Sequence, residues 1–259
     1  MKRTESEKLF EDLLGQKNYN FVRGDNYFKK GERCPDYYVK TPYCDIICEI
    51  KEFKKPEIDE IFKKNKIIIP APKKVINPIK NKINDASKQL KPYEKYKKPM
   101  IVVLSNPYSY FADLSNETIL SALFGELSIL IPRINGKGAK WFFGRNGILI
   151  NQKEYISAVC ILEYVSIKQD DKINGIIKEI KGKHKDEEMD FNLATRMAIE
   201  VLRKVEAIKK KDAIKEKKEL RLRVFHNFRA HIKLPVNIFN SKYDENYTYD
   251  REKNFYILQ

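Results

Sequence analysis

Pro35-Asp36, followed by Asp45-Ile46-Ile47-Cys48-Glu49-Ile50-Lys51, is the stretch that decides how this chain is read. Side chains alternate along a strand, so Glu49 and Lys51 share one face while Ile46, Cys48 and Ile50 share the other. Thr41-Pro42 marks a turn between residues 36–40 and 45–52, so the two segments read as a hairpin. Antiparallel pairing then brings Asp36, at the start of one strand, beside Glu49, near the end of the next. Two carboxylates so placed can share a hard cation, and oxygen ligands suit Mg²⁺. A lysine two residues on can orient a water or stabilise phosphate charge. Together these are the parts of metal-assisted phosphodiester hydrolysis. The plainer alternative makes Asp36 a turn cap and Glu49 and Lys51 a polar strand face.

Outward from this stretch, residues 4–16 read as a helix capped by Thr4, with Thr4-x-x-Glu7 as a capping box and Gly15 as its stop. Leu9, Phe10, Leu13 and Leu14 form its apolar stripe. Residues 19–23 read as a strand, and Gly24, Asp25, Gly31 and Pro35 mark a loop. Residues 54–76 read as a Lys-rich irregular insertion. Asn77-Pro78 is expected to start a helix with Ile79, Ile83, Ala86 and Leu90 on one face. Residues 101–104 form an apolar strand and 116–130 a helix. Residues 141–143, 148–150 and 158–164 are further strand candidates. A long helical pattern runs from 191 to about 223, and the tail from 234 is aromatic with little periodicity.

The hairpin resembles the PD-(D/E)xK nuclease superfamily: Pro35-Asp36, a gap of 13 positions, then Glu49-Ile50-Lys51. The order helix, three strands, helix, strand fits that family, and Gln89-Leu90-Lys91-Pro92-Tyr93 matches the Gln-x-x-x-Tyr motif of its RecB-like branches. The resemblance covers about residues 4–105. It implies an α/β, restriction-endonuclease-like core, a mixed central sheet flanked by helices, over 1–165. Residues 166–259 are expected to form a helical and aromatic C-terminal extension packed on that core. It also implies a Mg²⁺- or Mn²⁺-dependent DNA endonuclease, a phosphodiester hydrolase serving restriction, repair or defence against mobile elements. Asp36, Glu49 and the Ile50 backbone carbonyl would hold the metal, and Lys51 would position the attacking water. The family often adds an acid from the first helix. Glu7 is preferred here over Glu11, although both also read as solvated helix residues. Gln89 is a further catalytic candidate, or else a core-edge hydrogen bond. Pro92 departs from the motif, because proline ends or kinks a helix and so can displace Tyr93.

The net charge is +15, and two segments supply all of it: +9 over residues 54–98 and +6 over 203–223. Clustered positive charge attracts polyanions. Lys54, Lys55, Lys88, Lys209, Lys210 and Lys211 are therefore expected to meet the DNA backbone, against the alternative of a solvated lysine face. Cutting both strands with one such site per chain favours a homodimer. Two other functions compete. One is a weakly active or inactive nucleic-acid-binding subunit of a larger complex, and the other a structural protein whose 203–223 helix pairs with an acidic partner.

Several classes are excluded. Cys34, Cys44, Cys48 and Cys160 lack the spacing of a zinc site. Gly136-Lys137-Gly138 lacks the spacing and the Ser/Thr of a P-loop, so no nucleotide cofactor is expected. His226 and His231 show no acid or base partner in sequence and read as structural or phosphate-facing. No apolar run approaches the length of a membrane span, and the charged N-terminal stretch lacks a signal peptide's apolar region. A cytoplasmic protein without membrane contact is expected.

Overall fold

In the computed structural model the described residues are 3–28, 33–53, 72–107, 114–125, 127–130, 140–143, 146–150, 153–166, 175–180, 182–184, 197, 199–201, 203–204, 218–250 and 255–258. The chain divides into two compact units, one of residues 1–163 with 220–259 and one of 164–219. The expected extension from 166 onward is therefore split, and its last forty residues belong with the core.

The larger unit opens with α1 (Glu5–Gln16), β1 (Asn20–Arg23), α2 (Gly24–Tyr27), β2 (Tyr37–Lys40) and β3 (Asp45–Glu52). Then come α3 (Pro72–Leu90), a 3₁₀ turn over Lys91–Tyr96, β4 (Met100–Ser105) and α4 (Asn116–Phe124). β5 (Leu127–Leu130) and β6 (Lys140–Phe143) pair with each other as a small second sheet. β7 (Ala158–Ser166), β8 (Lys218–His226), β9 (Glu245–Asp250) and β10 (Phe255–Leu258) complete the strands. The main sheet is mixed, in the order β1-β2-β3-β4-β7-β8-β9-β10. β1, β2 and β3 run antiparallel, whereas β3, β4 and β7 are parallel. The step from β3 to parallel β4 needs a crossover, and α3 lies within it.

Helices cover both faces of the sheet. Ile79, Ile83, Ala86 and Leu90 of α3 pack with Ile47, Val102, Leu104 and Val159. Leu9, Phe10, Leu13 and Leu14 of α1 pack on the other face with Ile46, Cys48, Ile101 and Val103. β4 is buried on both faces and is correspondingly apolar from Met100 to Leu104. α1 carries the expected capping box, with the Thr4 hydroxyl accepting from the Glu7 N–H and Glu7 accepting from the Thr4 N–H.

Several expectations fail for local reasons. α1 runs through Gly15 to Gln16, and the chain turns at Asn18, whose φ is 55°. Residues 24–27 are a short helix within the expected loop. α3 begins at Pro72, so Pro78 sits inside the helix rather than starting it, and residues 72–76 do not belong to an irregular insertion. The expected helix 116–130 ends at Phe124, because Gly125 adopts φ 95°, and β5 follows. Residues 148–150 are turns rather than a strand. The Ile148 and Leu149 N–H groups donate to the Ala122 and Leu123 carbonyls and so satisfy the end of α4.

The largest correction is at 218–226, expected to end a helix but forming β8, with Leu220, Leu222 and Val224 packed on the α1 face of the sheet. The tail likewise supplies β9 and β10, so the C-terminal part is not a helical extension. In the smaller unit the described helical residues at 175–180 and around 197–204 are joined by the Lys204–Glu179 ion pair (2.8 Å), and Lys204 also pairs within its own segment with Glu200 (3.8 Å).

The strand assignment of 218–226 is testable. Leu222→Ala should destabilise the protein by about 2–5 kcal/mol, as for a buried leucine. Lys218→Ala, at the exposed end of the same strand, should stay within about 0.5 kcal/mol. Urea unfolding of both variants checks this, and equal small effects would remove the segment from the core.

Candidate active site

The β2–β3 hairpin, α1 and α3 deliver the site. β2 and β3 pair with Tyr37 opposite Cys48, which sets Asp36 beside Glu49 at the open end of the hairpin. The Asp36 carboxylate accepts the Ile50 N–H at 2.7 Å and so locks the two strand ends together. Behind Asp36, the Gly24 N–H donates to the Asp36 carbonyl at 2.8 Å. A Cβ at position 24 would stand 1.6 Å from the Pro35 carbonyl oxygen, so only glycine lets α2 pass this close. α1 is tied down by Glu52 at the end of β3, which accepts from both the N–H (2.8 Å) and the hydroxyl (2.9 Å) of Ser6. That clasp sets Glu7, one residue on, at the mouth of the site.

Glu49 and Lys51 point to the α3 side of the sheet. Lys51 Nζ lies 2.5 Å from Glu49 Oε1 and 3.4 Å from Gln89 Oε1. The Gln89 amide donates in turn to the Cys34 carbonyl at 2.6 Å, bracing the segment before Asp36. Asp36, Glu49, Ile50, Lys51, Gln89 and Glu7 all line one cavity of about 520 Å³, with Arg23, Asp25 and Arg33 also on its wall. Sequence reasoning missed both arginines. Their only signal was position, since each lies in the stretch leading into Asp36.

The Glu49 carboxyl is almost wholly removed from water, at 1% exposure. Burial raises its pKa to about 8, the Asp36 charge adds to this, and the Lys51 ammonium opposes it without offsetting it. Burial also raises Asp36, helped by the Glu7 charge and opposed first by the Ile50 N–H. Glu49 Oε2 is buried without a hydrogen-bond partner. An acceptor oxygen left in that state, beside a second carboxyl, suits a hard divalent cation. Among the described residues no three His, Cys, Asp or Glu side chains converge as a metal-ligand group. The donor set is therefore two carboxylates, with Glu7 near enough to act on Asp36 but with its own Oε2 accepting from the Thr4 N–H at 3.2 Å.

The remaining candidates separate. Glu11 is engaged elsewhere, accepting from the Tyr37 hydroxyl at 2.8 Å and pairing with Arg3 at 2.8 Å, which leaves Glu7 as the helix acid facing the cavity. Tyr93 is core, buried and stacked edgewise on Phe28 at 4.6 Å, because Pro92 starts a 3₁₀ turn after α3. Lys88 is exposed and borders a neighbouring cavity. Lys54, Lys55, Lys209, Lys210 and Lys211 lie outside the described residues. His226 contacts the Asn246 amide at 3.0 Å, which is neither acid nor base, whereas His231 does have acid partners, Glu94 (3.3 Å) and Glu154 (3.0 Å).

No protein-family model, no curated protein and no solved structure matches this chain.

The buried carboxyl predicts a pH dependence. With its pKa raised from 4.5 to about 8 in the folded chain, Glu49 keeps a proton that the unfolded chain has lost. That stabilisation is complete below the unfolded value and disappears as pH rises through the folded one. Metal-free protein should therefore lose stability from pH 5 to pH 8, measured as urea midpoints in a chelating buffer. Glu49→Gln should flatten the decline. Equal slopes for both proteins would show that Glu49 is not the group responsible.

Proposed function

We propose that this chain is a Mg²⁺-dependent DNA endonuclease with a PD-(D/E)xK-type site. One observation carries the reading: Asp36, Glu49, Lys51 and Gln89 converge on a single cavity in which Glu49 Oε2 has no partner. Asp36, Glu49 and the Ile50 carbonyl would hold the metal, with Glu7 adding negative charge at the mouth. A bound Mg²⁺ supplies Lewis acidity to the scissile phosphate and acidifies a bound water. The chain's own groups do the rest. Lys51, on the same strand face as Glu49, presents a compact positive charge to the phosphorane-like charge that builds as water adds to phosphorus. Gln89 Oε1 offers Lys51 a second acceptor at 3.4 Å from the α3 side, so the ammonium does not depend on Glu49 alone for its position. Arg23 and Arg33 bring positive charge to the cavity wall and favour a phosphodiester over an uncharged ligand. Hydrolysis breaks one P–O bond, and the water's proton leaves with the departing alkoxide.

The competing reading is a nucleic-acid-binding subunit that does not cut. It draws on the donor set, which is two carboxylates and not three among the described residues. A titration separates the two. A metal site should raise the thermal midpoint with Mg²⁺ beyond an ionic-strength control, and more at pH 8 than at pH 5 because the carboxyls must deprotonate to bind.

Cleavage of plasmid DNA in Mg²⁺ tests the assignment. Asp36→Asn and Glu49→Gln should reduce it below detection while leaving DNA binding intact. Lys51→Ala should lower kcat by about 100-fold or more with little change in Mg²⁺ affinity. Lys51→Arg should rescue only in part, since a planar fork replaces a point charge. Glu11→Gln should cut normally. Full activity of Asp36→Asn would sink the site, and loss of Mg²⁺ affinity in Lys51→Ala would make Lys51 structural.

A further inference from the structure

Three cavities follow one another around the C-terminal end of α3. Arg33 and Gln89 of the catalytic cavity also line a neighbour of about 360 Å³, together with Lys88 and Lys95. Lys88 in turn lines a third cavity, of about 410 Å³, with Asn84, Ser87, Lys91, Lys153 and Tyr155. Asn84, Lys88 and Lys91 recur at helical spacing, so they stand on one side of the helix end. Lys153 faces them from the segment that leads into β7.

No acid is among the residues described around this third cavity. Among the described residues Lys88, Lys91 and Lys153 form no ion pair. Glu94, whose charge reaches Tyr155 on the cavity wall, and Glu154 both face His231, at 3.3 Å and 3.0 Å. Lys153 is partly buried, and its ammonium is held below its usual range by that burial first and by Lys88 and Lys91 next. The wall is braced rather than loose, since Ser87 is buried and bonded to the Ile83 carbonyl at 2.7 Å, while the Tyr155 hydroxyl donates to the Ser87 carbonyl at 3.3 Å. Three uncompensated cations around one concavity are completed by an oxyanion, which relieves both their repulsion and the desolvation of Lys153.

We infer that the cavity framed by Lys88, Lys91 and Lys153 is an anion site that takes a backbone phosphate of the nucleic-acid substrate, away from the phosphate that is cut. The choice of substrate rests on the nuclease reading; the geometry of the site does not. A strand leaving the catalytic cavity passes Gln89 and Lys88 and arrives at Lys91 and Lys153. Such a contact fixes the position of a strand and carries no base preference.

Binding of a labelled DNA duplex to Asp36→Asn protein, followed by anisotropy across a salt titration, tests this. Adding Lys88→Gln, Lys91→Gln and Lys153→Gln together should weaken binding to every sequence alike. It should also flatten the log–log salt slope by about 0.9 for each phosphate that the protein no longer neutralises. The pair Lys88→Gln and Lys91→Gln, both at exposed positions, gives the same measurement if Lys153→Gln disturbs folding. An unchanged slope, or a parent protein that binds no DNA, overturns the inference. Inorganic phosphate at matched ionic strength is the second arm. If it raises the thermal midpoint of the parent but not of the triple variant while the DNA slope is unchanged, the site takes free phosphate and the nucleic-acid assignment fails. Cleavage by the wild-type chain is scored separately. Cutting with an unchanged slope removes the anion site alone, and a flattened slope without cutting removes the nuclease reading alone.

Discussion

A carboxyl group sealed from water governs this structure. Glu49 lies in the middle of a sheet with helices on both faces, one of its oxygens lacks any donor, and Asp36 stands beside it. An ionised carboxylate in such a place would be opposed by several kcal/mol of lost solvation. The group responds by holding its proton, even with an ammonium 2.5 Å away. The protein therefore keeps, on the wall of a cavity in its central sheet, a buried carboxyl with one ammonium beside it and one oxygen unpartnered.

The surrounding fold is arranged to keep that group in place. Asp36 closes the hairpin on the Ile50 N–H, Ser6 holds the end of β3 through Glu52, and Gln89 ties Lys51 and the Cys34 carbonyl together. The first closes a hairpin, and the others join residues 38 to 55 positions apart in sequence. The site is consequently a product of tertiary packing, and no single segment carries it.

The parts of this that were legible in sequence are those written at the period of a strand or helix. The alternation in residues 45–52 gave the strand, its two faces and the pairing of Glu49 with Lys51. The spacing of Ile79, Ile83, Ala86 and Leu90 gave the buried face of α3. Which of Glu7 and Glu11 lines the cavity was not legible, because it depends on Tyr37 and Arg3 reaching Glu11. The start of α3 was misread because Asn77-Pro78 has the chemistry of a helix start while Pro72 in fact takes that place. β8 was misread because the lysines before it, Lys209–Lys211, Lys215 and Lys217, run on into it in sequence as one Lys-rich pattern. Its own alternation, Leu220, Leu222 and Val224 against Glu219, Arg221 and Arg223, is that of a strand. Gly24 looked like an ordinary loop residue, and only the approach of Pro35 shows why no other residue fits.

The anchoring of both ends of the gap between β3 and α3 has a consequence for how such a chain can vary. On one side Glu52 is clasped by Ser6 and the Phe53 N–H donates to the Ser105 carbonyl at 3.0 Å. On the other, α3 is fixed by its buried apolar residues Ile79, Ile83, Ala86 and Leu90. Lys51 and Gln89 are thus held by contacts that lie beyond the site itself. A substitution that loosens either anchor, the Ser6–Glu52 clasp or the buried face of α3, therefore disturbs the constellation without touching any residue that lines its cavity.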